Sequence, residues 1–408
     1  MGVKKPIVMI SSWPPRKCGI ATFAEEALEF IRKHEPDRPT YVVSHTDGAG
    51  HNVFPIIDLD NADWCEPVAA KVLELDPYAV HIQHEYGLYN HVDEQGESDM
   101  NSGFVRLLEL LDGVPTIVEP HTVHGRMKDH EEQFIRQVAA RCNVLLFKCH
   151  YQKWRLDWTF SSKDWERPRN IMIVPHGARP DRRFAIREVE ALKEDLGLGH
   201  LRGKHTIGLV GWIQANKRWD IVTSMWDDLH EEIVAETGQD WMLLGAGDIR
   251  DPNDRDEYER YVTDVKLLEE KGIGHFYRFI PRGDIYYKVM GICDFIVLPT
   301  VDETQSGTLA RIIALNKPYV TTAPLEGLTA QTLENGGGLL FTNKQMLREH
   351  ILRLAIDEGL RWELGFKLYR YLMNVVSWEV VAGKYYEAYH AANAEVRDGI
   401  RIDIPPEF

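Results

Sequence analysis

Two stretches of the sequence place basic side chains beside glycines directly after an apolar run. Arg16, Lys17 and Gly19 follow the first run, and Lys217 and Arg218 follow a later run that itself contains glycines. Arginine binds a phosphate through two parallel hydrogen bonds, lysine binds it as a point charge, and glycine lets a ligand approach the backbone. Both stretches are therefore candidates for contact with an anion or a sugar, and Lys217 and Arg218 for a diphosphate.

Two further stretches carry small, hydroxyl and carboxylate side chains after an apolar run. Gly247 is the second glycine of the sequence LLGAGD, and Glu303 is followed by Ser306, Gly307 and Thr308. Serine is a favourable N-cap, so we expect a helix whose first amides point at an anion, while Glu303 accepts hydrogen bonds from sugar hydroxyls. This combination of donors and acceptors suits a sugar.

Histidines occur at the ends of two other apolar runs. His84, Glu85 and Tyr86 end one run, and His121 and His124 follow the next. Their spacing fits no common zinc site, because successive side chains of a strand point to opposite faces. We expect a substrate hydrogen bond from His121 or His124, with the choice between them open. Tyr86 is a candidate for stacking on a sugar, with packing in the core as the alternative.

All these residues follow short apolar runs that alternate with helical stretches. The alternation predicts βαβ units around a parallel sheet. The runs form two series, which comprise 7–11, 40–44, 79–83, 116–119, 143–147 and 171–174, then 206–211, 241–247, 275–280, 294–299, 318–322 and 338–341. In doubly wound sheets ligands bind beyond the carboxyl ends of the strands, which is where the candidate residues lie.

Segment 175–204 separates the two series and is rich in charged residues, glycine and proline. This composition is typical of a domain junction. We predict a first domain over 1–180 and a second over 181–376. A final helix over 377–393 carries an apolar stripe that needs a covering surface in one of the domains, and 394–408 is predicted to be an extended tail.

The composition excludes several classes of function. The 408 residues include 47 Lys or Arg and 63 Asp or Glu, and the net charge of −16 disfavours nonspecific binding of nucleic acid. No apolar run reaches the ~18 to 20 residues of a membrane span, and the first residues do not resemble a signal peptide, so we expect a cytoplasmic protein without a transmembrane segment. The 5 cysteines contain no Cys-x2-Cys pair, which argues against disulfides and structural zinc.

Taken together, several segments resemble the nucleotide-sugar glycosyltransferases of family 4, the retaining glycosyl transferases group 1. The resemblance covers nearly the whole chain, through PPRKCGIATF, IQHEYG, IVPHG, GWIQANKRWD, LLGAGD, ETQSGTLA and the final SWEVVAGKYYEAYHAA. It implies the GT-B fold, an α/β architecture in which two Rossmann-like doubly wound parallel-sheet domains face a central cleft. It also implies a donor on the second domain, an acceptor on the first, and a last helix that crosses back to the first domain.

The resemblance further implies roles for individual residues. Gly19 would lie beside the donor phosphates, Lys217 would neutralise the diphosphate, and Glu303, as the first glutamate of a Glu-x7-Glu motif, would hold the donor sugar. Ser306, Gly307 and Thr308 would form the turn that meets sugar and phosphate, and His121 or His124 would lie near the donor sugar. The remaining candidates are Gly247 on the donor side and Arg16, Lys17, His84, Glu85 and Tyr86 on the acceptor side.

Two positions depart from the family pattern. Arg311 stands where the second motif glutamate contacts the ribose, and Trp212 stands where an arginine accompanies the lysine. Arg218 or Arg282 is the candidate replacement for that arginine. Arg311 is a candidate phosphate contact.

The resemblance therefore implies a hexosyltransferase that uses a nucleoside diphosphate sugar as co-substrate and a carbohydrate or other hydroxyl compound as acceptor. We expect retention of configuration, no metal and no other cofactor. Two alternatives stay open: a sugar phosphorylase of the same fold that uses inorganic phosphate, and a sugar- or nucleotide-binding protein without turnover. The sequence also leaves open assembly into a homo-oligomer.

Overall fold

The computed structural model describes residues 4–123, 127–301, 306–324 and 326–400. Contacts between Cα atoms divide the chain into two units. The first holds the chain up to His176 together with the segment from Trp378 onwards, and the second is Gly177–Ser377.

The first unit is built on a parallel sheet with helices on both faces. Its strands are β1 (Ile7–Ile10), β2 (Thr40–His45), β3 (Val53–Ile57), β4 (Ala79–His84), β5 (Thr116–Pro120), β6 (Val144–Phe147) and β7 (Ile171–Ile173). They pair in the order β3-β2-β1-β4-β5-β6-β7. The helices between them are α1 (Gly19–His34), α2 (Cys65–Leu75), α3 (Tyr86–Tyr89), α4 (Ser102–Leu110), α5 (Asp129–Arg141) and α6 (His150–Ser162).

Both faces of this sheet are buried because its strands are apolar on both sides. Val8 and Ile10 of β1 pack in one hydrophobic cluster, and Ile7 and Met9 pack in another on the opposite face. This arrangement is expected of a parallel sheet, whose crossover helices cover both faces.

The second unit repeats the same design. Its strands are β8 (His205–Ile213), β9 (Trp241–Ile249), β10 (Gly274–Arg278), β11 (Phe295–Leu298), β12 (Tyr319–Thr322) and β13 (Gly338–Phe341). They pair in parallel in the order β10-β9-β8-β11-β12-β13. Its helices are α7 (Val189–Asp195), α8 (Asp220–Thr223), α9 (Trp226–Thr237), α10 (Arg255–Glu270), α11 (Asp284–Gly291), α12 (Gly307–Ala314), α13 (Glu326–Asn335), α14 (Lys344–Ile356) and α15 (Glu358–Tyr371).

Both strand orders confirm the prediction of two doubly wound sheets. In each, the order reverses beside the first strand, at β1 and β4 in the first unit and at β8 and β11 in the second. Such a reversal point opens a crevice at the carboxyl ends of the strands, where ligands of this fold bind.

The last helix, α16 (Trp378–Asp398), belongs to the first unit and packs along α1. Trp378, Tyr385 and Tyr389 are fully buried in the cluster that contains Phe23 of α1. The prediction of an extended tail from residue 394 is wrong, because the helix continues to Asp398. Residues 401–408 of that predicted tail lie outside the described residues.

The boundary between the two units falls after His176 rather than after residue 180. The N–H of Ala178 donates to the carbonyl of Val376 at 2.7 Å, and Ala178 pairs with Ser377 in an isolated bridge. These contacts attach the residues after His176 to the second unit. Within the described ranges, every helix is too short or too polar to cross a membrane.

Candidate functional site

In the second unit, a turn after β8 is bound to the loop after β11. Lys217 ends a 3₁₀ turn over Ala215–Lys217. The carbonyl of Asn216 in that turn accepts hydrogen bonds from the N–H of Val301 at 2.8 Å and from the Thr300 hydroxyl at 3.1 Å. The loop that carries Lys217 is therefore fixed against the chain that leads to Glu303. Glu303 itself lies outside the described residues.

The beginning of α12 lies against the end of β8. Ser306 caps the helix as expected, since its Oγ accepts a hydrogen bond from the N–H of Leu309 at 3.3 Å. The Thr308 hydroxyl lies 2.7 Å from the hydroxyl of Tyr286 on α11. A Cβ placed on Gly211 would lie 3.0 Å from the Tyr286 oxygen and 3.5 Å from Oγ1 of Thr308. The ends of β8, α11 and α12 thus meet at one place.

The close packing of β8 against β9 requires a glycine at position 247. Gly247 pairs with Gly211 in the register of β8 and β9, and a Cβ at Gly247 would collide with the carbonyl oxygen of Gly211. Gly211 has a φ of 145°, which disfavours any other residue. The two glycines allow the backbones to approach closely beside Thr308 and Tyr286.

Arg218 and Arg282 differ in their surroundings. The Arg218 guanidinium donates two hydrogen bonds of 3.1 Å to the carboxylate of Asp220. Arg282 precedes α11 and is half-buried, and its guanidinium forms no hydrogen bond or ion pair with any residue that the structure describes. Of the two candidate replacements for the missing arginine, Arg282 is the one whose charge is not already neutralised.

Arg311 lies on the first turns of α12. Its Nη1 donates to the Gly307 carbonyl at 2.8 Å, and its guanidinium lies 5.0 Å from the ring centre of Tyr286 and 5.6 Å from that of Tyr287. Stacking on aromatic faces holds an arginine in place. Arg311 is therefore positioned beside Tyr286, whose hydroxyl contacts Thr308.

In the first unit, the loop after β1 leaves the start of α1 open. Cys18 precedes the helix without a side-chain cap. Gly19 is exposed, and apart from its own helix and chain neighbours no described atom lies within 4 Å of an added Cβ. Arg16 lies 3.4 Å from the carboxylate of Asp47, and Lys17 is exposed. The uncapped amides and two cations make this helix end attractive to an anion.

Glu85 and Tyr86 also lie at the carboxyl edge of the first sheet. The Glu85 carboxylate accepts hydrogen bonds from the Thr122 hydroxyl at 2.6 Å and from the N–H of Tyr86 at 3.0 Å. Both residues are half-buried. They are accessible enough to contact an acceptor.

His84 does not fit its expected role as an acceptor contact. Its side chain is buried among aromatic rings, 4.5 Å from Phe104, 4.8 Å from Phe134 and 5.7 Å from Tyr89 between ring centres. Burial lowers the pKa of His84 to about 3, against the hydrogen bond with Asn101. The alternation of side chains along β4 turns His84 into the core, so we remove it from the acceptor site.

His121 is half-buried at the end of β5. Its Nε2 lies 2.7 Å from Oε1 of Gln83, and its ring packs edge-on against Phe23 at 4.8 Å. Burial, together with the charge of Lys148, lowers the pKa of His121 to about 3, although Glu119 opposes the shift. The ring is therefore neutral at physiological pH. His124, the alternative to His121, lies outside the described residues.

The sequence reasoning missed a buried polar network beneath His121. Glu119 and Lys148 are both fully buried and form an ion pair. The Glu119 carboxylate also accepts hydrogen bonds from His81 at 2.9 Å, Gln83 at 2.7 Å and Tyr385 at 2.9 Å. The signal in the sequence was a charged residue at the end of one apolar run, Glu119, and directly after another, Lys148.

The described part of the chain contains no group of three or more His, Cys, Asp and Glu side chains arranged to hold a metal ion. The 5 cysteines are free thiols, four of them buried.

The chain is similar over nearly its whole length to solved glycosyltransferase structures. HepE of Anabaena, in a complex with UDP, covers 94% of this chain and 99% of its own with a TM-score of 0.69 and 14% identity. Sucrose-phosphate synthase of Thermosynechococcus elongatus covers 95% and 98% with a TM-score of 0.67 and 14% identity. WaaG, a glycosyltransferase involved in lipopolysaccharide biosynthesis, covers 96% and 99% with a TM-score of 0.59 and 13% identity.

No protein-family model and no curated protein sequence matches the chain. The structural similarity nevertheless confirms the fold: this chain has the GT-B fold with two Rossmann-like domains, as the resemblance to group 1 glycosyltransferases implied. At these identities the similarity is one of fold, and activity has to be argued from the site.

Proposed function

We propose that this protein transfers a hexosyl group from a nucleoside diphosphate sugar to a hydroxyl acceptor. The observation that carries the proposal is the meeting of Gly211, Tyr286 and Thr308 at the start of α12, beside the loop of Lys217. It combines a close backbone approach, a helix N-terminus and positive charge at the reversal point of the second sheet. These are the features that bind a diphosphate in this kind of sheet.

The leaving group of this reaction is a diphosphate, which must be stabilised as its bond to the sugar breaks. Lys217, Arg282 and the first amides of α12 supply positive charge and hydrogen-bond donors for it without a metal ion. Arg218 is a weaker candidate because Asp220 already neutralises it. Glu303 is assigned to the donor sugar on the strength of its sequence motif alone.

Similarity to nucleotide-bound structures suggests which donor to test first. HepE was solved with UDP, with UDP and glucose, and with UDP-glucose. We therefore propose a UDP-hexose as the first donor to assay. Arg311, in place of the glutamate that contacts the ribose in the resembling family, makes a comparison with other nucleoside diphosphates necessary.

On the first unit, Arg16, Lys17, Glu85 and Tyr86 are the proposed acceptor contacts, and the open start of α1 at Gly19 is the proposed contact with donor phosphate. We further propose retention of configuration, by analogy with family 4. A leaving phosphate that accepts the acceptor proton removes the need for a pair of catalytic carboxylates. His121 would contribute a hydrogen bond to a sugar hydroxyl.

The proposal is tested by incubating the purified protein with UDP-glucose and a panel of sugar acceptors, followed by product analysis. Release of UDP with a new glycoside supports transfer, and the anomeric proton of that glycoside reports retention. Lys217→Ala should abolish release, whereas Lys271→Ala, whose lysine pairs with Asp227 on the surface, should not.

The same assay separates the two alternatives. Formation of sugar 1-phosphate that depends on inorganic phosphate would identify a phosphorylase instead. Nucleotide binding without any turnover would identify a binding protein, and Glu303→Gln would then change only affinity.

A further inference from the structure

The buried network of the first unit reaches the candidate substrate histidine through one amide. Gln83 lies between Glu119 and His121: its Nε2 is 2.7 Å from Oε2 of Glu119, and its Oε1 is 2.7 Å from Nε2 of His121. Gln83 and Glu119 are fully buried. Neither residue belongs to the donor or acceptor contacts proposed above.

The charge of Glu119 fixes the orientation of the Gln83 amide. A carboxylate oxygen can only accept, so the amide group that faces it must be the NH₂ group. The amide oxygen therefore faces His121 and can only accept as well. The ring nitrogen opposite it, Nε2, must carry a hydrogen.

Glu119 keeps its charge because several donors surround it. Burial alone would raise the pKa of Glu119, but the Lys148 cation and the hydrogen bond from His81 hold it well below its usual range. Tyr385 of α16 donates to the same carboxylate at 2.9 Å, and Tyr389 of that helix lies 2.8 Å from Nδ1 of His81. The last helix thus supplies a further donor to Glu119 and a partner for His81.

We propose that Gln83, oriented by ionised Glu119, is a positioning residue that holds His121 as the neutral Nε2–H tautomer and leaves Nδ1 to accept a hydrogen bond from a substrate hydroxyl. Nδ1 of His121 has no hydrogen-bond partner among the described residues. The tautomer follows from the network alone, and the contact with substrate rests on the proposed function.

Most of the groups that face His121 keep its ring neutral, and the one that favours a second proton is outweighed. Burial, Lys148, His176 and His84 disfavour a second proton on the ring, and among the described residues Glu119 favours it. Phe23 of α1 covers the ring edge-on and also receives the Lys148 ammonium at 4.4 Å from its centre. His121 is therefore suited to accept a hydrogen bond and unsuited to act as an acid.

The tautomer is measured directly on the free, full-length protein labelled with ¹⁵N-histidine. Long-range ¹H–¹⁵N spectra distinguish protonated from bare ring nitrogens, and His121→Asn identifies the signals of His121 by their loss. We expect a protonated Nε2, a bare Nδ1 and no titration between pH 5 and 8. A protonated Nδ1, or a titration with a midpoint near 6.5, would overturn the proposal.

Two substitutions of Gln83 test the mechanism. Gln83→Leu removes the acceptor, so the Nδ1–H tautomer should become populated and kcat/KM should fall about tenfold. Gln83→Glu puts a carboxyl oxygen against Glu119, so it should take up a proton there; its other oxygen still accepts from Nε2–H, and the wild-type tautomer should be retained. Asn170→Leu removes another buried amide of the same unit, which binds the carbonyls of Ala139 and Cys142, and should leave the His121 signals unchanged.

The spectra test the tautomer of His121 and the transfer assay tests the proposed function, so one can fail while the other succeeds. If the wild-type tautomer is as expected but no sugar is transferred, the proposed function is wrong and the positioning of His121 stands. If transfer occurs but Gln83→Leu leaves both the tautomer and kcat/KM unchanged, the positioning role is wrong. The wild-type spectrum decides the tautomer even if a Gln83 variant does not fold.

Discussion

The contrast between Arg282 and Arg218 gives a sharp prediction for ligand binding. Both are basic residues near the proposed diphosphate site, but Asp220 neutralises Arg218 with two hydrogen bonds, and the Arg282 guanidinium has no partner among the described residues. We expect Arg282→Ala to weaken binding of the nucleoside diphosphate strongly and Arg218→Ala to weaken it little.

The magnitude follows from the state of each guanidinium before binding. A hydrogen bond to a charged group contributes about 1.5–3 kcal/mol, and about 1.4 kcal/mol corresponds to a factor of ten. Arg282→Ala should therefore raise Kd by about 10- to 150-fold. Arg218 would have to exchange Asp220 for the ligand, so the gain and the loss largely cancel, and Arg218→Ala should change Kd less than about threefold.

Isothermal titration of each variant with the nucleoside diphosphate measures both values. Asp220→Asn is the matched counterpart, because it releases Arg218 without removing it. By the same reasoning it should lower Kd, by up to about tenfold where Arg218 reaches the ligand. If Arg218→Ala weakens binding tenfold while Arg282→Ala has no effect, the assignment of the two arginines is reversed. If neither matters, the site does not bind the diphosphate through these residues.

Three predictions concern stability. Gly247→Ala should destabilise the second unit, because its Cβ would collide with the neighbouring strand, and hydrogen exchange of β8 and β9 should report this. Lys148→Met leaves Glu119 buried without its cation and should lower the free energy of unfolding of the first unit by about 3–5 kcal/mol, measured by urea unfolding. Adding Glu119→Gln to this variant should recover part of the loss. Burial lowers the pKa of His45 to about 4 and that of His84 to about 3, below the unfolded value near 6.5. Between pH 7 and pH 5 the unfolded chain therefore takes up protons at these histidines while the folded chain does not. Each histidine should lower the free energy of unfolding by about 2 kcal/mol over this range.

Each of these three stability predictions has an outcome that would contradict it. Gly87→Ala, where an added Cβ meets no described atom of another part of the chain within 4 Å, is the control for Gly247→Ala, and equal effects would refute the collision. A loss below about 1 kcal/mol for Lys148→Met would show that the buried pair is not strongly coupled. Stability that is unchanged at pH 5, or equally pH-dependent in His84→Phe, would contradict neutral burial of that histidine.

The fold could be predicted from the sequence because its strands are continuous apolar runs. Each of the twelve predicted runs overlaps a strand of the observed sheets. The missed strand, β3, contains Pro55, which the pattern treats as a breaker. It lies at the edge of the sheet, where a proline needs no partner for its nitrogen.

The site could be predicted only in part. The loops of Lys217 and Thr308 were found because ligands of doubly wound sheets bind after particular strands. The partners within the site were not, because Tyr286 and Gln83 reach Thr308 and His121 through the order of the strands and helices in space. The sequence shows the residues Gly-Ala-Gly up to Gly247, for example, but not the carbonyl of the neighbouring strand that requires glycine there.

The central claim is that the second unit binds a nucleoside diphosphate, and a thermal-shift screen tests it most directly. The purified protein is melted with UDP, GDP, ADP, TDP or inorganic phosphate, each with and without Mg²⁺. At about 100 times Kd a ligand adds roughly 2.7 kcal/mol of stability, or about 5–10 °C in Tm for a unit of this size. The account predicts that one nucleoside diphosphate produces this shift without Mg²⁺. A shift with phosphate alone, or with none of the nucleotides, would contradict it.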